Sequence, residues 1–499
     1  MNIFIVTPIA FPILIGILLL IIPTKWFQSK VFTRSGLILI VAFCLVMNGV
    51  LVLCSMLETN GNELPKVMFY LTKSLPIMFK IDKVSIIFAS IVTIVWIVAG
   101  FFSFEYFRND NNEKRFYGCY LILFGILIAL DFSANLVTFY IFYELLTLVS
   151  VPLVLHNQTK ESIMAGLKYL FYSLSGAYMV LFGFYFLNRY SKTITFSPGG
   201  ILDMTLIQGH EGLLLFVAFI MILGFGVKAG MFPLHAWLPT AHPVAPTPAS
   251  AVLSSIIVKA GVLGIIRVVY YLFGPDFLRG TWVQSVWLAL TLITIFMGSM
   301  LAYREKVLKK RLAYSTISQV SYILFGLALL NPIGMSGALL HVVFHAFIKC
   351  GLFLIAGAII HKTGKTKVTQ LRGIGKEMPV TIWCFTILSL ALIGIPPMSG
   401  FISKWYLATG ALNEKIPVFS LLGPVILLIS AFLTAGYLLP ITIKGFLPGD
   451  DFKYETLEKK EPKKLMLVPI LILTILAIVF GIMPNGLIGY INGIIVAVF

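Results

Sequence analysis

Long apolar runs alternate with short polar segments along almost the whole chain. A helix needs about 20 apolar residues to cross the hydrocarbon core of a bilayer, and about fourteen runs of this kind occur here. The pattern predicts membrane-spanning helices at about 3–22, 33–55, 84–104, 116–131, 132–154, 162–188, 212–231, 246–271, 283–302, 309–330, 335–360, 380–409, 417–443 and 466–487. The division between the fourth and fifth runs, near Asp131, is the least well defined. We therefore expect an all-α integral membrane protein.

The composition supports this expectation. Hydrophobic residues make up 59% of the chain and charged residues only 11%, whereas a soluble domain has about 25% charged residues. So little charge excludes a soluble globule, and so much apolar sequence excludes intrinsic disorder. The formal net charge of +17 would point to nucleic acid in a soluble protein. We expect no nucleic-acid partner here, because the basic residues lie mainly in short loops between the apolar runs.

The basic loops also predict an orientation. The clearest are REKVLKKR at 304–311 and HKTGKTKVTQLRGIGK at 361–376, and cytoplasmic loops carry the excess of Lys and Arg. The pattern places both termini outside, in the cytoplasmic membrane of a prokaryote. The mixed-charge stretch at 444–464 is interpreted either as a solvated loop or as a docking face for a cytoplasmic partner.

The cysteines give no sign of a cofactor. All five lie within apolar runs and none forms a C-x-x-C pair, so no iron–sulfur or zinc ligand set is indicated. A Gly-rich phosphate loop and a nucleophilic triad are also missing from the sequence pattern. We therefore predict no cofactor, no metal and no catalytic residue in this chain.

Two of the predicted spans cannot be continuous helices. The seventh contains GFGVKAGMFPLHAWLP, with Pro233 at its centre, and the twelfth contains LIGIPPMSGFISKWYL, with Pro396 and Pro397. Proline removes a backbone donor and clashes with the preceding turn. Breaks in corresponding positions of two halves indicate an inverted repeat with sites near the bilayer midplane. We expect repeats over 116–271 and 283–443, preceded by three helices in 1–115 and followed by a loop and last helix in 444–499. Ordinary kinks are the alternative.

Several ionisable residues fall inside the predicted spans, where a charge costs about 2.5–3.5 kcal/mol on insertion scales. Such costly groups are functional candidates. They are Glu144, Lys228, Lys259, His341, His345, Lys349 and Lys404, with Lys168 as an accessory candidate nearer the cytoplasmic end.

The spacing of these residues suggests a proton path. His341, His345 and Lys349 are four residues apart, so they follow one helix face, and imidazole titrates near neutral pH. We also expect an ion pair between Glu144 and Lys228 that controls the charge of the lysine. The alternatives are histidines bonded to neighbouring helices and a static structural ion pair.

At these positions the sequence resembles the antiporter-like membrane subunits of respiratory complex I, Mrp-type cation/proton antiporters and membrane-bound hydrogenases. The resemblance covers roughly 116–445. It rests on FYELL around Glu144, GFGVKAGMFPLHAWLPTAHPVAPTPASAVL, IIVKAGVLGIIRV, LKKRLAYSTISQVSYILFG, HVVFHAFIKCGLFLIAGAI and GIPPMSGFISKW. The length is most similar to the smaller Mrp-type subunit or the corresponding hydrogenase subunit.

The resemblance implies fourteen helices in two inverted five-helix repeats, each with a half-channel. It implies that Glu144 matches the fifth-helix glutamate, Lys228 the broken-helix lysine and Lys259 the central lysine of helix eight. His341 and His345 would match the eleventh-helix histidines. Lys404 would match the terminal group of helix twelve, which is glutamate in one complex I subunit.

The sequence thus predicts a proton-translocating subunit of a multisubunit membrane complex. Its partners would be further antiporter-like and small membrane subunits, with any redox chemistry in a separate arm. Whether Na⁺ moves as well as H⁺, and in which direction, stays open. A stand-alone transporter of a small solute, a non-conducting structural subunit and a lipid or polysaccharide flippase are the alternatives.

Overall fold

The computed structural model describes residues 3–23, 34–59, 61, 64–73, 75–413, 416–449, 452 and 458–499. The segment 24–33, which follows the first apolar run and contains Lys25 and Lys30, lies outside the described residues. Part of the mixed-charge stretch at 444–464 does as well. The docking prediction made for 444–464 therefore stays a prediction, and so does the predicted orientation.

Six long helices form the first part of the chain. They are α1 (Ile3–Ile21), α2 (Arg34–Thr59), α3 (Lys83–Tyr106), α4 (Glu113–Asp131), α5 (Leu136–Val154) and α6 (Lys160–Tyr190). Side-chain caps fix the starts of three of them, because Asp82, Asn135 and Thr159 accept hydrogen bonds from backbone amides in the first turns of α3, α5 and α6. The cap at Asn135 separates α5 from α4 in the region where the apolar pattern left the division undefined.

A small β-hairpin interrupts the all-helical pattern between α2 and α3. Strand β1 (Lys66–Thr72) pairs in antiparallel fashion with β2 (Leu75–Phe79). The apolar runs did not predict this element, since the segment is too short to span a bilayer. We call the side of the molecule on which it lies the hairpin face.

The seventh span is broken as the sequence predicted. Helix α7a (Glu211–Ala229) ends at Gly230, which has the left-handed conformation, with φ of 78°, that glycine adopts without steric cost. A cis Phe232–Pro233 bond follows, and the short helix α7b (Leu238–Val244) completes the span. Helix α8 (Thr247–Phe273) then runs through the centre of the protein.

The remaining helices of more than four residues are α9 (Trp282–Arg304), α10 (Leu308–Ala328), α11 (Pro332–Thr363), α12a (Pro379–Ile393), α12b (Ser399–Leu412), α13 (Pro417–Phe446), α14 (Lys464–Ile482) and α15 (Asn485–Val498). The break between α12a and α12b again begins with a left-handed glycine, Gly394, and contains the cis Pro396–Pro397 bond. The last predicted span, 466–487, is too long at its end, since α14 stops at Ile482 and a separate helix follows.

In the described part of the chain, eleven helices are long and apolar enough to cross a membrane. The chain is therefore a multi-pass membrane protein, although the predicted number of fourteen spans stays a prediction. The most enclosed segments are α8, whose apolar window is 100% buried, and α11, at 94%. The candidate residues Lys259, His341, His345 and Lys349 lie on these two helices, so they are surrounded by protein and not by lipid.

Candidate functional site

Helices α8 and α11 bring two basic side chains into direct contact. The Nζ atom of Lys259 lies 2.9 Å from Nδ1 of His345, and both side chains are fully buried. The ammonium group also donates to the carbonyl of Ser255, one turn earlier in α8. Lys259 lies between two π-helical segments, 253–257 and 267–273, and interruptions of this kind occur frequently at functional sites.

His341 continues this contact along α11. Its ring centroid is 5.8 Å from that of His345 and 5.7 Å from that of Tyr322 on α10. Its Nδ1 atom lies 2.9 Å from the hydroxyl of Ser403 on α12b. The Nε2 atoms of both histidines are buried and have no hydrogen-bond partner. Such atoms are expected to bond to water, because an unpaired buried polar group is costly.

Lys349, the third member of the predicted stripe, contacts a different helix. Its Nζ atom donates to the hydroxyl of Ser315 at 2.6 Å and to the carbonyl of Leu312 at 3.2 Å, both on α10. Ser315 is in turn 2.6 Å from the hydroxyl of Tyr437 on α13. The three residues of the stripe therefore contact three different helices: His341 contacts α12b, His345 contacts α8 and Lys349 contacts α10.

Lys404 lies at the break of the twelfth span. Its ammonium donates to the carbonyls of Leu392 at 2.7 Å and Ile393 at 2.8 Å, which the break has left without intrahelical partners. A positive charge at the C-terminal end of α12a also interacts favourably with the negative end of the helix dipole. The Nζ atom lies 5.0 Å from the centre of the Tyr322 ring, and His341 stacks on that same ring.

The predicted pair of Glu144 and Lys228 is not in direct contact. The buried Lys228 donates to the hydroxyl of Thr147 at 2.6 Å and lies 4.3 Å from the centre of the Tyr143 ring. Among the described residues no ion pair within 4.0 Å includes either Glu144 or Lys228, and Oε1 of Glu144 has no partner. The reason is the rotation of α5, which turns Tyr143 and Thr147 toward α7a and leaves Glu144 half-buried on the adjacent face.

Lys228 and Lys259 are close in the fold but not bonded. Gly261 allows α8 to approach α7a, since a Cβ atom there would lie 2.5 Å from the carbonyl oxygen of Phe225 and 2.8 Å from the amide nitrogen of Ala229. In the described part of the chain, however, no hydrogen bond joins the two lysines. A proton passing between them would need water.

Side chains near the break at Pro233 and the side chain of Lys168 form hydrogen bonds with the two halves of the seventh span. Beyond Pro233, the indole of Trp237 donates at 2.8 Å to the carbonyl of Val227, which also accepts from the amide of Gly230 at 3.1 Å. Lys168 donates to Thr240 of α7b at 3.1 Å. It contacts this outer half of the broken span and not the group around Lys259, so the structure does not bring it together with the main candidates.

Sequence reasoning missed several buried polar groups. Both ring nitrogens of His242 on α7b are buried and have no hydrogen-bond partner. The same is true of the side-chain amide nitrogen and oxygen of Gln319 on α10. The polar stripe Ser315, Thr316, Ser318, Gln319 and Ser321 in an otherwise apolar span was the available signal for α10. For His242 the signal was the histidine in the motif AHPVAP. Among the residues that the structure describes, no group of three or more His, Cys, Asp or Glu could hold a metal ion.

Comparisons with known proteins agree with this architecture. Residues 133–432 match the family model described as NADH:quinone oxidoreductase/Mrp antiporter, TM, and residues 71–117 match the N-terminal model of complex I chain 5. A NADH-quinone oxidoreductase subunit of Desulforudis audaxviator is 32% identical over 394 residues, which is 76% of each chain. A Na(+)/H(+) antiporter subunit of Bacillus subtilis is 30% identical over 498 residues, covering 97% of this chain and 94% of the relative.

Solved structures show the same fold at lower identity. A chain of the Mrp complex from Dietzia sp. superposes with a TM-score of 0.84 at 19% identity, covering 99% of this chain and 97% of that one. A chain of respiratory complex I from Thermus thermophilus gives 0.80 at 22% identity, covering 99% and 100%. Since the first family model spans more than half of the sequence, the chain belongs to the NADH:quinone oxidoreductase/Mrp antiporter membrane-subunit family.

Proposed function

We propose that this chain translocates protons across the membrane as one subunit of a multisubunit complex. The observation that carries this proposal is the contact between Lys259 and His345. Two basic groups 2.9 Å apart and fully buried cannot both be cationic without a large repulsion. One proton shared along this hydrogen bond satisfies both, and a shared proton is the geometry that transfer requires.

The proposed route follows the buried basic groups. A proton would pass from Lys228 through water to Lys259, then to His345 and His341, and reach Lys404 beside the shared Tyr322 ring. Lys349 would act on this route as a branch, because it lies one turn after His345 on α11 but donates its hydrogen bond to Ser315 on α10.

Glu144 keeps a role in this proposal, but through charge and not through a direct bond. It acts electrostatically on Lys228, while Thr147 supplies the neutral hydrogen bond. A carboxylate that is not bonded to the lysine can change its protonation without first breaking an ion pair. Glu144 would therefore set the affinity of Lys228 for a proton.

The two broken spans support the inverted repeats over 116–271 and 283–443. Helices α7a and α12a each end at a glycine with φ near the left-handed region, 78° at Gly230 and 89° at Gly394. Each break has a lysine close by. The two lysines differ in position, since Lys228 precedes its break and Lys404 follows it, so the two halves would perform related but unequal steps.

Membership of the family supports a proposal for the location and the partners. We place the chain in the cytoplasmic membrane of a prokaryote, with both termini outside. Its partners would be further antiporter-like and small membrane subunits. If the parent complex has a redox arm, electron transfer would occur there.

Exchange of Na⁺ for H⁺ is a second candidate function. The observation that favours it is the match along nearly the whole chain to the Na(+)/H(+) antiporter subunit of Bacillus subtilis. Proton flux that rises when a Na⁺ gradient is imposed would support exchange. Flux that is the same with Na⁺ and with choline would restrict the chain to protons.

A solute transporter and a structural subunit are the remaining alternatives. Of four cavities described in the structure, with volumes of about 280 to 450 Å³, none is lined by Lys228, although a solute transporter would place its pocket there. A structural subunit would tolerate loss of the buried charges.

Proton flux through the reconstituted complex tests the proposal. Complex containing Lys259→Met should lose about a hundred-fold in flux, the range that a positioned acid or base contributes. His361→Gln is the matched control, because His361 lies at the end of α11 against Tyr106 and away from the axis. Unchanged flux in Lys259→Met would favour the structural role.

A further inference from the structure

A second buried group of charges lies at the other end of α8, toward the hairpin face, and the proposed route does not use it. Arg267 binds Asp82 through both of its terminal nitrogens, at 2.6 and 3.0 Å. It also donates to the hydroxyl of Ser85 at 3.1 Å. Arg267 is 1% exposed, so this is an ion pair inside the protein.

Asp131 completes the group. It is the last residue of α4, it is 2% exposed, and its Oδ2 atom has no hydrogen-bond partner. The next residue, Phe132, accepts a hydrogen bond from the amide of Lys80 at 2.7 Å, so the end of α4 lies beside the segment that carries Asp82. A charged carboxylate here would be repelled by the negative end of the helix dipole and would lose its hydration without gaining a bonded partner at Oδ2. Its presence therefore requires an explanation.

Counting charges gives the explanation. One guanidinium and two carboxylates carry a net charge of −1, and one added proton makes the group neutral. Arginine keeps its proton at all relevant pH values. Burial opposes the ionisation of Asp82, but the charge of Arg267 and its hydrogen bonds hold the pKa of Asp82 below its usual value. The proton that balances the group therefore belongs on Asp131.

A water-accessible cavity reaches this group from the hairpin face. It has a volume of about 280 Å³ and is lined by Lys80, Asp82, Lys83 and Tyr271, among others. Helix α15 lies over it, where Lys83 donates to the carbonyl of Gly493 at 3.4 Å. The two lysines at the cavity compensate the negative charge that would remain after the proton leaves.

The group is also connected to the proposed route through α8. Arg267 is eight residues beyond Lys259, which corresponds to about 12 Å along a helix. The helical segment 258–266 packs against α4, which carries Asp131. A short water chain between Lys259 and Asp131 would join the two.

We propose that Asp131, together with the Asp82–Arg267 pair, is the site where protons leave the buried axis toward the hairpin face. When transport runs from Lys404 through His341 and His345 to Lys259, Asp131 accepts the proton from Lys259 through water, which makes the group neutral. The proton then passes to water in the cavity beside Asp82, and the carboxylate of Asp131 returns to its charged form. Arg267 stays protonated, transfers no proton and acts as a positioning residue. This inference rests on the proposed function.

The test uses the complete complex in proteoliposomes, with proton flux measured while the pH is varied separately on each side. Asp131→Asn should reduce flux by about a hundred-fold and abolish its dependence on pH at the hairpin face. Asp131→Glu should retain flux with a displaced pH profile on that side alone. Asp276→Asn is the matched control, since Asp276 lies near the same face in an exposed pair with Arg279.

Each outcome decides the question. Asp131→Asn with full flux and an unchanged hairpin-side pH profile overturns the inference. If Asp131→Asn does not assemble, Asp131→Glu decides instead, and a wild-type pH profile in that variant overturns it. Lys259→Met is measured in parallel. If it keeps full flux, the proposed function itself fails, whereas loss in Lys259→Met with full flux in Asp131→Asn removes only the release site.

Discussion

Lys259 and His345 share a hydrogen bond of 2.9 Å between the two most enclosed helices of the protein. No carboxylate takes part in this contact, so the charge on one group depends directly on the charge of the other. A buried ion pair would have fixed both charges. Two bases in contact instead hold one proton between them, and they can pass it to His341, the next ring along α11.

The hydrogen bond from Lys228 to Thr147 leads to a first prediction. Thr147→Val keeps the shape of the side chain but removes the only hydrogen bond described for this ammonium group. A hydrogen bond to a charged group contributes about 1.5–3 kcal/mol, so proton flux should fall about ten-fold or more. Thr147→Ser should retain most of the flux. Equal flux in the Val and Ser variants would show that the hydrogen bond from Lys228 to Thr147 does not contribute to transport.

The contacts of Lys404 predict an effect on stability. Lys404→Met leaves the carbonyls of Leu392 and Ile393 without their donor. The free energy of unfolding should fall by about 2–3 kcal/mol, which a thermal-unfolding measurement on the detergent-solubilised complex would detect. Lys404→Arg should lose less, because it keeps the donors and the charge. A Met variant as stable as the wild type would contradict this assignment.

Close packing beside the two central lysines gives a third prediction. Gly261→Ala would place a methyl group 2.5 Å from the carbonyl oxygen of Phe225, and so push α8 away from α7a. Overpacking of this kind costs about 1–3 kcal/mol, and the displacement should also lower flux. Gly212→Ala in α7a is the matched control, because nothing lies within 4 Å of the added atom. The thermal stability and the flux of the two variants are compared. If Gly261→Ala is as stable and as active as Gly212→Ala, the packing argument is refuted.

The sequence predicted much of this architecture because membrane helices have a strong signal. Long apolar runs placed most helix ends within a few residues, and the prolines placed both breaks. The i, i+4 spacing also placed His341, His345 and Lys349 in successive turns of α11. These features depend on local sequence alone.

Contacts between helices could not be predicted in the same way. The pairing of Glu144 with Lys228 was inferred from charge, but the rotation of α5 decides which side chain faces α7a, and it presents Thr147. Lys404 was expected to belong to the axis, and its capping of α12a emerged only with the geometry of the break. Asp131 marked an uncertain helix boundary in the sequence, and only the fold brings this end of α4 beside the segment that carries Asp82.

A double-variant measurement tests the shared proton most directly. Proton flux is compared among complexes with wild-type chain, Lys259→Met, His345→Gln and both changes together. If the two groups perform one transfer step, each single change should cost about a hundred-fold and the double variant should be no slower than the slower single variant. Losses that multiply in the double variant, or flux that survives either single change, would contradict a proton shared between Lys259 and His345.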